Sequence, residues 1–134
     1  MSAEPISTRL RGQIGEDLAA CHLEAHGLVV LSRNVRAGGV ELDLVAHAPA
    51  GSEDPLDTVV FVEVRSRSDE LSGLPEETVD LRKRARLRRG AAAWLVEKGL
   101  WEQVAVRFDV VGVLFRPNEE APQITWIRGA FDAN

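Results

Sequence analysis

Two stretches of the chain place apolar residues at helical spacing. The first runs from about Thr8 to His26, where an apolar residue recurs at intervals of four, three and four residues. Gly27 follows where a left-handed helix end is expected, and a second helix is predicted from near Asp80 to Lys98, ending at Gly99. The predicted buried face of the first helix consists of Ile14, Leu18, Cys21 and Ala25. This face predicts that Cys21, the only cysteine, is a buried structural thiol.

Strands are predicted where apolar and polar residues alternate or where β-branched residues run together. Two loops rich in proline, glycine and polar residues interrupt them, over His47–Asp57 and Arg67–Pro75. The predicted strands cover Leu28–Leu31, Val40–Val45, Thr58–Arg67, Val104–Phe115 and Gln123–Arg128, the last at a sheet edge. The order of elements predicts an α/β protein with an αβββαβ core, in which helices flank a mixed sheet of four or five strands.

Length and composition favour one soluble domain. The chain has 134 residues, 45% hydrophobic and 28% charged, and we expect a single domain over residues 1–134 with residues 1–8 flexible. No apolar segment approaches the roughly 20 residues that cross a bilayer, and the start resembles no signal peptide, so we expect a cytoplasmic protein without a membrane partner. The net charge of −5 argues against a protein that coats nucleic acid with its whole surface, but it leaves room for a local basic patch.

Two carboxylates interrupt the apolar pattern of neighbouring strands. Asp43 and Glu63 occupy strand interiors, where acidic residues are normally depleted, and Arg65 follows on the same face as Glu63. Because paired strands lie about 4.8 Å apart, carboxylates at matching heights can share one cation. Mg²⁺ or Mn²⁺ suits such oxygen ligands, and the matching chemistry is metal-assisted hydrolysis of a phosphodiester. Alternatively, both carboxylates face solvent and Arg65 is their salt-bridge partner.

Four segments, in this order and spacing, closely resemble the YraN-like uncharacterised family. They are GQIGEDLAACHLEAHG (12–27), GVELDLVA (39–46), FVEVRSR (61–67) and RFDVV (107–111). That family is placed in the PD-(D/E)xK nuclease superfamily, which has the restriction-endonuclease-like fold, and it is more distantly similar to archaeal Holliday-junction resolvases. The resemblance implies that Asp43 and Glu63 bind the metal, with the carbonyl of Val64 as a further ligand and Glu16 supporting the site.

The resemblance also exposes a departure at Arg65. This residue stands where the superfamily has lysine, and an arginine, which stays protonated in proteins, cannot act as a general base. It can still contact the phosphate or orient water. The leading hypothesis is therefore a metal-dependent endonuclease for DNA, with structured or branched DNA among its candidate substrates. The alternative is a catalytically weak or inactive module on the same fold that binds nucleic acid or protein.

The start of the second helix carries a concentration of positive charge. Six of the eight residues from Arg82 to Arg89 are Lys or Arg. Helical geometry places Arg82, Arg86 and Arg89 within one outward-facing arc, which we call the basic stripe. The basic stripe predicts contacts with a phosphate backbone, or else a solvated face paired with Glu76, Glu77 and Asp80. Lys83 lies nearer the apolar side, from which its ammonium either reaches solvent or approaches the acidic site.

Three further features have structural interpretations. His22 and His26 are spaced as metal ligands on a helix, but the glutamate that a zinc protease needs directly after the first histidine is missing. Asp109 lies on a strand face with Arg107, which predicts an ion pair. The three tryptophans, Trp94, Trp101 and Trp126, are not clustered on one strand, so we expect packing rather than base stacking.

Overall fold

A computed structural model of the chain describes residues 7–51, 56–68 and 73–133. It contains two α-helices, five strands and a short 3₁₀ helix. In chain order these are α1 (Thr8–Ala25), β1 (Val29–Ala37), β2 (Val40–Ala48), β3 (Thr58–Arg67), the 3₁₀ helix (Pro75–Thr78), α2 (Leu81–Glu97), β4 (Ala105–Leu114) and β5 (Gln123–Phe131). Ser7 caps α1, which therefore begins inside the segment predicted to be flexible; residues 1–6 of that segment lie outside the described residues.

The five strands form one sheet in the order β1-β2-β3-β4-β5. All neighbouring strands are antiparallel except β3 and β4, which are parallel and are joined through α2. This confirms the predicted α/β class with a mixed sheet. The main difference is β1, which is nine residues long instead of four. Its central residues are mostly polar because it is an edge strand with backbone pairing on only one side.

Each helix covers one face of the sheet. Ala19, Ala20 and Leu23 of α1 pack in a cluster with Val60, Val62 and other strand residues. On the opposite face, Leu87, Ala91, Trp94 and Leu95 of α2 pack against Val59, Phe61 and Phe108. The two clusters show the period of β3: even-numbered residues from Val60 to Val62 face α1, and odd-numbered residues from Val59 to Phe61 face α2.

The predicted buried face of α1 was wrong at Cys21 and Ala25, whereas Ile14 and Leu18 are half-buried and Leu18 packs against the core. The buried residues of α1 are Gly15, Ala19, Ala20 and Leu23, whereas Cys21 and Ala25 are exposed. The reason is the close approach of α1 to β3. A Cβ atom added to Gly15 would lie 2.0 Å from the Oγ of Ser66, so the contact surface of the helix is selected for small size rather than for hydrophobicity.

The second helix agrees with its prediction. Asp80 caps α2 by accepting a hydrogen bond from the Lys83 N–H at 2.8 Å, and Gly99 adopts the left-handed conformation just beyond its end. Trp94 is buried in the core and Trp101 is half exposed at the surface. The two predicted loops are described only in part, since residues 52–55 and 69–72 lie outside the description. Within the described residues, no helix combines the length and apolar character needed to cross a membrane.

Candidate active site

Asp43 and Glu63 lie where β2 and β3 separate. The last paired residues of the two strands are Leu44 and Val62, and Asp43 and Glu63 are the next residues in that register. In place of a main-chain partner, the N–H of Val64 donates a hydrogen bond to Asp43 Oδ2 at 3.0 Å. The divergence of the strands therefore opens a gap, and the Asp43 carboxylate is fixed inside it at the height of Glu63.

The pair is buried and electrostatically strained. Glu63 is only 6% exposed, and its Oε2 is buried without a hydrogen-bond partner among the described residues. Burial and the neighbouring Asp43 charge raise the pKa of Glu63 to about 8, although Lys83 and Arg65 oppose this rise. Burial also raises the pKa of Asp43, while the hydrogen bond from Val64 lowers it. Two such carboxylates, one with an unpartnered oxygen, are stabilised in their charged forms by a cation.

The donor set fits a hard divalent cation. Mg²⁺ uses one or two carboxylates and keeps several waters, so two opposed carboxylates suffice for it. Among the described residues, no group of three or more His, Cys, Asp or Glu side chains is arranged to hold a metal. Waters and substrate oxygens would have to complete the coordination of a cation held by these two carboxylates.

Glu16 approaches this region from the other side. The small residue Gly15 brings the first half of α1 against β3 at Ser66, and the next residue, Glu16, is half-buried there. Burial raises the pKa of Glu16, and the Asp43 charge adds to this rise, whereas a hydrogen bond with the Asn34 side chain lowers the pKa. Together with Arg65 and Ser66, Glu16 lines a cleft of about 230 Å³. Glu16 is thus close enough to Asp43 for the two charges to interact.

Two cationic side chains flank Glu63 on the α2 side of the sheet. Lys83 Nζ lies 3.8 Å from Glu63 Oε1. Arg65 instead donates a hydrogen bond from Nη2 to the carbonyl oxygen of Thr78 at 3.1 Å, and its Nε is buried without a partner among the described residues. Arg65 is thus fastened to the 3₁₀ helix, and Lys83 is the cation in contact with the acidic pair.

The basic stripe is exposed, as predicted. Its three arginines, Arg82, Arg86 and Arg89, all face solvent, and none forms an ion pair within the described parts of the chain. The other arginines of this helix turn back onto the protein: Arg84 donates to the carbonyl of Val79, and Arg88 to that of Asp132. The predicted partner Asp80 serves as the helix cap.

Asp109 forms the predicted ion pair, and the structure extends it into a network. Asp109 is fully buried and accepts hydrogen bonds from Arg107 Nε at 2.9 Å and Nη2 at 3.0 Å. Trp126 Nε1 and the Gly129 N–H also donate to it, each at 2.9 Å. Asp109 pairs in register with Val62, which faces α1, so this network is on the opposite face of the sheet from Glu63 and ties β5 to β4.

His22 and His26 of α1 pack against strand β5. The rings of His22 and His26 lie 4.4 Å apart, and both meet the edge of the Trp126 ring. His26 Nδ1 is 2.7 Å from the carbonyl oxygen of His22. The two histidines therefore pack against Trp126 of β5, and this contact does not involve Asp43 or Glu63.

Sequence reasoning missed two close contacts that shape the site. One is the Gly15–Ser66 approach that positions Glu16. The other is on β4, where a Cβ added to Gly112 would lie 2.3 Å from Pro75 Cγ, so this glycine admits the 3₁₀ helix that anchors Arg65. The available signal was a glycine inside a predicted strand, which often marks a close approach of another backbone.

Comparison with known proteins assigns the family. A model of the uncharacterised protein family UPF0102 matches residues 15–113. The relative from Moorella thermoacetica is 44% identical over 126 residues, covering 94% of this chain and 98% of that protein. Those from Acidothermus cellulolyticus and Pseudomonas aeruginosa are 43% and 41% identical, covering 90% and 95% of this chain and 92% and 96% of their own lengths. All three are called UPF0102 protein, and this chain belongs to that family, which confirms the YraN-like resemblance.

One solved structure has a weak likeness to this chain. It is that of Pyrococcus furiosus SfsA in complex with Ca²⁺, with 16% sequence identity and a TM-score of 0.33, covering 92% of this chain and 64% of that one. At this TM-score the likeness supports no argument about fold or activity.

Proposed function

We propose that this member of the UPF0102 family is a metal-dependent nuclease that hydrolyses phosphodiester bonds in cytoplasmic DNA, with structured or branched DNA as the first substrates to test. The observation that carries the proposal is the opposed pair of Asp43 and Glu63 in the gap between two strands. A protein does not gain stability by burying two carboxylates together, so the arrangement indicates a function.

Asp43 and Glu63 are the residues that would hold Mg²⁺ or Mn²⁺, with the carbonyl of Val64 as a third protein ligand. The unpartnered Oε2 of Glu63 supports this assignment, since it is a buried acceptor to which no described protein group donates. A cation bound there supplies charge stabilisation for the transferring phosphoryl group and a more acidic water. The restriction-endonuclease-like fold, implied by the resemblance, is part of the same proposal.

The reaction is a hydrolysis in which the residues around the pair orient the reactants. The oxygen of water forms a bond to phosphorus, the bond from phosphorus to the leaving oxygen breaks, and the proton released by water balances the one taken up by the leaving oxygen. Glu16, half-buried in the adjacent cleft, is placed to orient water or substrate. Arg65 contributes positive charge next to Glu63 from β3, where its hydrogen bond to the 3₁₀ helix holds the side chain in place.

DNA approaches through the local basic surface, because the whole chain is acidic. The basic stripe begins within the first turn of α2, the same turn that carries Lys83 toward Glu63. Exposed arginines at this place can follow a phosphate backbone that leads to the carboxylates. These contacts carry no sequence information, so binding through them is independent of base sequence.

The decisive experiment combines cleavage and metal binding. Branched, single-stranded and duplex DNA are incubated with the protein in Mg²⁺, Mn²⁺ or EDTA, and Mn²⁺ is titrated calorimetrically without DNA. Asp43→Asn should lose both cleavage and the Mn²⁺ site, and the exposed Asp132→Asn serves as the matched control that keeps both. Identical Mn²⁺ isotherms for wild type and Asp43→Asn would contradict the metal assignment.

A second candidate function is a binding module without effective catalysis. The observation in its favour is that Arg65 replaces the superfamily lysine and is engaged by Thr78. If wild type cleaves no DNA in any metal while Arg65→Lys does, this second function is the better description. If Arg65→Ala cleaves as fast as wild type, Arg65 has no part in the chemistry.

A further inference from the structure

We infer that Lys83 of α2, and not Arg65 of β3, is the cationic catalytic residue that contacts the scissile phosphate. This inference rests on the proposed nuclease function and deepens it. It also explains the departure at Arg65. The superfamily has a lysine at this position of the strand, and here Lys83 of the neighbouring helix would take over the role of that lysine.

The local structure of α2 fixes where Lys83 points. Asp80 caps the helix through the Lys83 N–H, so the backbone of this residue is held in the first turn. Leu87 comes one turn later and is buried in the core, where it contacts the same small cavity as Asp43 and Glu63. Residues four apart share a helix face, so Lys83 is directed toward the edge of the carboxylate pair.

The distance and exposure of Lys83 suit a group that meets a substrate. Its Nζ lies 3.8 Å from Glu63 Oε1, which is beyond hydrogen-bond length, so Glu63 attracts the ammonium without occupying its three N–H donors. The Lys83 side chain is 31% exposed, whereas that of Glu63 is 6% exposed. A phosphate that approaches Glu63 from solvent therefore meets the ammonium above the carboxylates.

Arg65 is bound elsewhere. Its Nη2 donates to Thr78, whose own hydroxyl donates to the carbonyl of Pro75 at 2.7 Å. Pro75 in turn packs against Gly112 of β4. To reach a phosphate, Arg65 would have to release the 3₁₀ helix from this chain of contacts. Its place in the structure is that of a positioning residue, and the partly exposed ammonium next to the pair is that of Lys83.

The role of Lys83 is that of a fixed positive charge. Its N–H groups donate to a non-bridging oxygen of the phosphate and stabilise the charge that develops there as water attacks. Lys83 forms and breaks no covalent bond, so the balance of the hydrolysis is unchanged.

The test uses Lys83→Met, with Lys83→Gln as a second neutral variant and Lys83→Arg as the conservative one. Lys98→Met is the matched control, since it removes an exposed lysine at the other end of the same helix, about 20 Å away at 1.5 Å per residue. Single-turnover cleavage by the neutral variants should fall by about 100-fold or more, while DNA affinity in Ca²⁺ changes by less than about threefold. Lys83→Arg should restore part of the rate.

Metal affinity provides a second readout, which depends on the position of the Lys83 charge beside the carboxylates and does not depend on cleavage. Because the ammonium repels a cation at the carboxylates, Mn²⁺ titrated without DNA should bind Lys83→Met about fivefold to tenfold more tightly than wild type, and Lys98→Met like wild type. Unchanged Mn²⁺ affinity, or full cleavage by Lys83→Met while wild type is active, overturns the inference alone. A wild type that neither binds Mn²⁺ nor cleaves overturns the proposed function, and the inference with it.

Discussion

Replacing Glu63 by Gln should remove a large part of the pH dependence of stability in the metal-free protein. Glu63 has a pKa of about 8 in the folded chain because it is buried beside Asp43, against an ordinary value of 4.5. A carboxyl whose pKa is raised by folding contributes stability when it is protonated. That contribution is complete below about pH 4.5 and is lost as the pH rises through about 8.

The size of the effect follows from the shift. One pKa unit corresponds to about 1.4 kcal/mol, so ionisation of Glu63 lowers the free energy of unfolding by about 4 kcal/mol between pH 5 and pH 9. A loss of this magnitude is a large fraction of the free energy of unfolding of a typical domain, which is roughly 5–15 kcal/mol. The amide of the glutamine variant cannot ionise, so this contribution is absent there.

Urea unfolding in EDTA at pH 5, 7 and 9 measures the effect for wild type, Glu63→Gln and the control Glu24→Gln. Glu24 is exposed on α1, so its replacement should leave the pH dependence as in wild type. Saturating Mn²⁺ at pH 8 should then stabilise wild type, by about 2.7 kcal/mol at a free concentration 100 times Kd, and should leave Glu63→Gln nearly unchanged.

The change in the free energy of unfolding from pH 5 to pH 9 is compared between the proteins, which differ by the carboxyl group of Glu63 and by its effect on Asp43. Equal changes in the free energy of unfolding from pH 5 to pH 9 for wild type and Glu63→Gln would show that Glu63 ionises normally. The buried, mutually repelling pair on which the cation site depends would then be refuted.

Three other predictions concern close contacts in the fold, the buried Asp109 network and the basic stripe. Gly112→Ala should lower the free energy of unfolding by about 1–3 kcal/mol because its methyl group meets Pro75, whereas Gly12→Ala, in a helix with open space, should raise it by up to about 1 kcal/mol; thermal unfolding distinguishes them. Asp109→Asn should lower the free energy of unfolding by about 3 kcal/mol because the partly buried Arg107 loses the negative charge of Asp109, and calorimetry should find Mn²⁺ binding unchanged on the far face of the sheet. Replacing all three arginines of the basic stripe by Gln should flatten the dependence of log affinity for duplex DNA on log salt by about 3, and an unaltered slope would show a merely solvated helix face.

Several parts of the fold were predictable because they depend on residues close together in sequence. The bounds of β3 match the prediction, and α2 lies between its predicted start near Asp80 and its predicted terminal glycine, Gly99. The alternation along β3 places Glu63 and Arg65 on one face whatever lies around the strand. Asp43 lies opposite Glu63 because the successive strands β2 and β3 pair antiparallel, with a short loop between them.

The extent of β1 and the buried face of α1 were not predictable in this way. The edge strand β1 carries Ser32, Arg33 and Asn34 at its centre, and it extends because β2 offers it backbone partners. On α1 the apolar spacing favoured the face of Cys21, but the helix buries Gly15 instead. How closely two elements approach depends on side chains from both, and no single segment contains that information.

The sequence by itself determined the α/β order of elements, the exposed basic stripe and the two carboxylates inside strands, because each is a matter of local periodicity. Only the tertiary structure decided which cation joins the carboxylates. Arg65, two residues from Glu63, is drawn away to Thr78, and Lys83, twenty residues later in the chain, lies 3.8 Å from Glu63. The outcome depends on where the 3₁₀ helix and α2 dock on the sheet, and long flexible cationic side chains reach whichever acceptor that docking places near them.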